Sequence, residues 1–343
     1  MPEFLPRVNS GRGQRPTART GAVPQDARAP AGRPAAFALG RCRGKGYRRG
    51  VEPHTDFDAF LAQAWADHAE APPAVAQRLG DGAALVRDEA QLSRLADLAH
   101  HVYGAHLGAW RDGSAFIAQL AALPVCARGG ASGQALRRCR ASLALCDRGD
   151  ANLASLTPSD QVRAVAMAAT NLAEHDAQRA ARMLRDALAR AEHAALPGAD
   201  PMHRQLAVAG NNIACALEDK PLRSADERAL MILAAQTARR CWALAGTWLE
   251  TERAEYRLAL TWLAAGEPAR ARGHAQACLS IVAANDGAAL ERLFAWEALG
   301  RVERAAGNAD GHAHALAQAR EALAQVDEAD RAWCADSIAQ LAA

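Results

Sequence analysis

The sequence predicts an all-α fold of packed helix pairs, on three observations. Alanine supplies 88 of the 343 residues, whereas isoleucine occurs 5 times and valine 13 times. Ala, Leu, Arg and Glu favour helices, and the β-branched residues that favour strands are scarce. Finally, apolar residues recur at helical spacing between short breaks, and the breaks recur along the chain.

In chain order, residues 57–68 form a first amphipathic helix, closed by Pro72 and Pro73. A longer patterned stretch covers 88–103, and a partner covers 110–123, stopped by Pro124. Further breaks fall at Pro158, Pro197-Gly198, Pro221, Gly266 with Pro268, Asp286-Gly287 and Gly307. Pro158 follows Thr157 and Pro201 follows Asp200, so each proline suits the first turn of a helix whose cap precedes it.

Breaks between helical pairs suggest internal repeats. Trp296, Leu299 and Gly300 spell W-x-x-L-G, followed by Gly307, Leu316 and Ala319. One unit earlier stand Leu258, Ala259 and Trp262, then Gly266, Ala271, Ala275, Cys278 and Leu279. Before that come Asn211, Asn212, Ile213, Ala214 and Leu217, with a second helix over 224–245. The first clear unit carries Met167 and Ala168, then Ala180, Leu184 and Ala187. A fainter one holds Gly108, Trp110, Gly113, Ile117 and Leu120. Small residues suit helix crossings, and large ones fill the gap to the next pair.

These residues resemble the tetratricopeptide repeat, well over 160–325 and weakly over 90–125. The equivalent positions Met167, Ile213, Leu258 and Leu299 lie 46, 45 and 41 residues apart, similar to the longer-helix variety found in kinesin light chains and some bacterial regulators. Glu303 and His312 depart from the Tyr and Ala of the pattern, as suits a terminal repeat whose outer face meets water. The resemblance implies an α-α superhelix, a TPR-like solenoid over 51–343. It also implies a concave groove lined by the first helix of each pair. Carried over position by position, the groove register selects Asn211, Glu218, Arg253, Tyr256, Glu297, Arg301 and Arg304 as peptide contacts. Asn can pair with a peptide backbone, Arg can grip a carboxylate with two bonds, and Tyr offers a flat surface. The function so implied is a non-enzymatic scaffold for a peptide or partner protein. The alternative is a bacterial regulator whose repeats sense a ligand and control gene expression.

The net charge of +2 hides a division. Residues 1–50 carry eleven basic and two acidic groups, with six prolines and eight glycines, and the remainder carries a net −7. Such a tail is expected to be disordered. Two readings of it stay open. Tyr47 among Arg41, Arg43, Lys45, Arg48 and Arg49 could give a weak phosphate-binding arm. Alternatively the chain starts at Val51, since in bacteria a GTG codon reads as valine internally but can initiate translation. Nucleic acid is expected as a partner only if the tail is real. Arginine outnumbers lysine 38 to 2, a bias that GC-rich codon usage explains.

No G-x-x-x-x-G-K-[ST], H-E-x-x-H or G-x-S-x-G occurs, so neither catalysis nor a cofactor is expected. Eight cysteines without C-x-x-C spacing read as reduced core thiols of a cytoplasmic protein. Trp242, Trp248 and Trp262 are expected in the core. His100, His101 and His106 are the densest histidines, but on a regular helix they do not share a face, so no metal site is expected there. No membrane span is expected either, since no stretch approaches the ~20 apolar residues required.

Overall fold

The computed structural model describes residues 56–343, so the expectations for residues 1–50 and for a start at Val51 lie outside the described residues. Among the described residues there are fourteen α-helices and no strand. The N-terminal part contains α1 (Phe57–Asp67), α2 (Pro72–Leu85), α3 (Glu89–His101), a π-turn (Val102–His106), α4 (Trp110–Leu120) and α5 (Ala131–Arg148). The C-terminal part contains α6 (Pro158–Leu172), α7 (Ala177–Ala194), α8 (Pro201–Glu218), α9 (Ala225–Ala245), α10 (Trp248–Ala264), α11 (Pro268–Ala284), α12 (Ala289–Ala305), α13 (Ala309–Gln325) and α14 (Glu328–Ala342).

Local chemistry fixes most of these starts. Thr157 and Asp200 cap the first turns of α6 and α8, with Pro158 and Pro201 at the first helical position. Ser224 with Glu227, and Thr247 with Glu250, form capping boxes at α9 and α10. Pro72 and Pro73 do more than close α1: they open α2, a helix that contains Gly80 and Gly82. Gly82 is required there because the Phe60 ring occupies the place of a Cβ.

Neighbouring helices pack in pairs: α4 with α5, α6 with α7, α8 with α9, α10 with α11, and α12 with α13. The first members also pack side by side, α6 on α8, α8 on α10, and α10 on α12, while α14 covers α12 and α13. Two pair turns are built alike. Gly266 and Gly307 take positive φ, and the following amides, of Glu267 and Asn308, bond the carbonyls of Trp262 and Glu303 at 2.8 and 2.9 Å.

The apolar core has two parts that meet at α5 and α6. One gathers Phe57, Leu79, Leu95, Ile117 and Leu143, and the other runs from Cys146 and Val162 to Ile338. Enclosure on several sides explains why α6 buries Ala164, Ala166, Ala168 and Ala169 completely. The seven described cysteines are free thiols, five of them buried, and burial pushes Cys139 and Cys146 up to about 12. Trp262 is buried beneath Arg270, while Trp242 and Trp248 are only partly covered, so the core expectation holds fully for one of the three. No described helix is long and apolar enough to cross a membrane.

Candidate functional site

The residues selected for a peptide groove mostly bind their own neighbours. Glu218 of α8 accepts bonds from Arg257 and Thr261 of α10. The phenol of Tyr256 in α10 donates to Glu297 of α12 at 2.9 Å, and Arg301 pairs with the same carboxylate. Tyr256 is 1% exposed and Glu297 fully buried. Burial raises the carboxyls of Glu218 and Glu297, although Arg257 and Arg301 beside them pull the other way. Arg253 pairs with Glu291 of α12 at 3.3 Å, and Arg304 donates to the Gln340 and Leu341 carbonyls of α14. Asn211 is half-buried. The polar atoms of Tyr256, Glu218 and Glu297 bond between successive first helices and so are engaged within the chain. The physical reason is the close approach of α8, α10 and α12, which leaves no exposed residue along α10.

A surface cleft lies elsewhere, against α4, α5 and the segment that follows α5. Its volume is about 610 Å³, and Trp110, Arg111, Arg137, Arg140, Asp147 and Arg148 contribute to its lining. Arg137, Arg140, Ala144 and Arg148 fall three and four residues apart and so share one face of α5. Arg111 pairs with Asp147 at 2.9 Å, and Arg148 lies 3.6 Å from Asp150. Arg137 and Arg140 are exposed and have no carboxylate partner among the described residues. The cleft therefore carries a positive surplus on one helix face. The arginine spacing was readable in the sequence, but codon bias masked its meaning.

A second constellation was missed because its backbone is irregular. The Leu107 amide bonds the Val102 carbonyl at 3.0 Å, five residues back, which defines the π-turn after α3. That wider turn brings His101 and His106 onto one side, with their Nε2 atoms 3.1 Å apart. His68, the C-cap of α1, completes a trio in which one ring nitrogen from each residue lies within 4.8 Å of the others. Nδ1 of His68 donates to the Trp65 carbonyl at 2.5 Å, leaving Nε2 as its acceptor atom. Burial lowers all three imidazoles, His106 to about 4, and the neighbouring rings lower His101 and His106 further. His100 diverges as expected, since its Nε2 lies 3.0 Å from Ser142 Oγ and 3.1 Å from Asn171 Nδ2. Three carbonyls of the π-turn are engaged from outside it. Tyr103 O accepts from the Ala109 amide at 2.9 Å, Gly104 O from the Trp110 indole at 3.1 Å, and Ala105 O lies 3.2 Å from His175 Nε2. Gly104 is obligatory, because the Asn171 side chain occupies the place of its Cβ.

Comparison with protein-family models, with curated proteins and with solved structures returns no match.

Proposed function

We propose that this chain is a non-enzymatic interaction scaffold, a solenoid of the tetratricopeptide kind that captures an acidic segment of a partner protein. The observation that carries this reading is the cleft beside α5. Arg137, Arg140 and Arg148 project from one helix face, and two of the three lack a carboxylate partner among the described residues. Arginine forks recognise carboxylates with two parallel bonds, and a fixed helical spacing presents them in register to an extended chain. The repeat reading is supported by the like-built turns at Gly266 and Gly307 and by first helices that lie side by side. Rigidity suits this role. The buried clasps between α8, α10 and α12 hold the scaffold while the cleft residues stay exposed.

The test is fluorescence anisotropy with a labelled polyglutamate peptide and the full chain. The wild type binds, more weakly as salt rises, and the Arg137→Glu/Arg140→Glu/Arg148→Glu variant does not bind. Equal binding by both proteins sinks the assignment of this cleft, and preference for a single-stranded oligonucleotide over the peptide sinks the acidic-protein reading.

A further inference from the structure

We propose that His68, His101 and His106 form a binding site for a divalent transition-metal ion of the zinc type. None of the three belongs to the α5 cleft, so this inference stands apart from the proposed function. Imidazole nitrogens suit Zn, Cu, Ni and Fe, whereas hard ions such as Mg and Ca take oxygen ligands. The geometry is close to what a tetrahedral ion needs. Metal–nitrogen bonds of about 2.0–2.1 Å at tetrahedral angles place ligand atoms about 3.3 Å apart. The two Nε2 atoms of His101 and His106 already stand 3.1 Å apart, and the His68 ring nitrogen lies within 4.8 Å. Binding requires the His68 nitrogen to approach the other two by up to about 1.5 Å.

Two features beyond proximity mark this as a built site. Metal-bound histidines commonly donate their second ring N–H to a carbonyl, which fixes tautomer and orientation. His68 already does so, through Nδ1 to the Trp65 carbonyl. The second feature is the π-turn, a rare device frequent at functional sites, which here places His106 beside His101. Three of its carbonyls are engaged by Ala109, Trp110 and His175, so the turn is held from two neighbouring elements. Without an ion, the His101 and His106 nitrogens share one hydrogen. An ion between them replaces that hydrogen bond with two coordinate bonds, the donor ring moving its hydrogen to Nδ1. Three imidazoles leave one tetrahedral position for water or a partner's ligand.

The experiment uses the untagged full chain, stripped with chelator and titrated with zinc(II) by calorimetry and with cobalt(II) by visible absorption. One equivalent binds, and the cobalt adduct shows four-coordinate d–d bands without thiolate charge transfer. His68→Gln and His106→Gln each weaken binding by about tenfold or more. His106 lies at the partly exposed rim, so its variant keeps the helical circular dichroism. Absence of a bound equivalent overturns the proposal, as do thiolate bands or unchanged affinity in a folded His106→Gln protein.

Discussion

Replacing Gly210 by alanine tests the close packing on which the helix pairs depend. Gly210 sits in α8 where that helix crosses α9, and a Cβ there would lie 2.9 Å from the Ala238 amide nitrogen and closer still to the Ala234 carbonyl oxygen. Both obstacles are backbone, which cannot rotate away as a side chain would. The two helices must separate locally, and overpacking of this kind costs about 1–3 kcal/mol. Alanine's better helix propensity returns roughly 1 kcal/mol, so the net change is a loss of up to about 2 kcal/mol. Gly273 in α11 provides the control, because a Cβ there meets nothing within 4 Å. Gly273→Ala gains about 0.5–1 kcal/mol through the same propensity term with no opposing cost. Equilibrium urea unfolding, followed by helical circular dichroism, reads both. At about 3 kcal/mol per molar of urea, the midpoint falls by up to ~0.7 M for Gly210→Ala and rises by ~0.2–0.3 M for Gly273→Ala. A Gly210→Ala midpoint equal to or above that of Gly273→Ala would refute the crossing geometry.

Two further outcomes follow from the buried charges. Burial raises the Glu252 carboxyl from 4.5 to about 8, and its Oε1 has no hydrogen-bond partner. Between those pH values the folded chain keeps a proton that the unfolded chain has lost, so stability falls as pH rises through this window and levels off above it. Glu252→Gln removes this slope, which urea midpoints at the two ends of the window measure against wild type. Arg257→Met strips Glu218 of its cationic partner while leaving the carboxylate buried, and costs about 3–5 kcal/mol in unfolding free energy. Adding Glu218→Leu recovers most of that loss; a double variant no more stable than Arg257→Met contradicts the clasp.

The helices were legible wherever cap chemistry and apolar period agreed. Thr157-Pro158, Asp200-Pro201 and Ser224 mark helix starts in sequence and structure alike, and Gly266 and Gly307 mark equivalent turns. Helix α2 was not legible, because Pro72 and Pro73 marked only the end of α1 and its Gly82, which makes room for Phe60, is a poor helix former. The burial of Tyr256 and Glu297 was not legible, because periodicity locates a face without saying how closely the next helix covers it. A polar pair that satisfies itself across two helices looks the same in sequence as two residues awaiting a ligand. The histidine trio was unreadable for another reason. Facing rules assume a regular helix, and the π-turn after His101 breaks that rule. His68 adds a contribution from a helix thirty-three residues away, which local spacing cannot anticipate.

Capture from source lysate by the immobilised full chain bears most directly on the scaffold role. The wild type is compared with Arg137→Glu/Arg140→Glu/Arg148→Glu and with a reversal of the exposed arginines Arg182, Arg185 and Arg320 on α7 and α13. An interaction scaffold working through the α5 cleft retains the same acidic partner with wild type and with the α7/α13 variant, and loses it with the α5 variant. Retention of that partner by the α5 variant, or its equal loss from both variants, would contradict it.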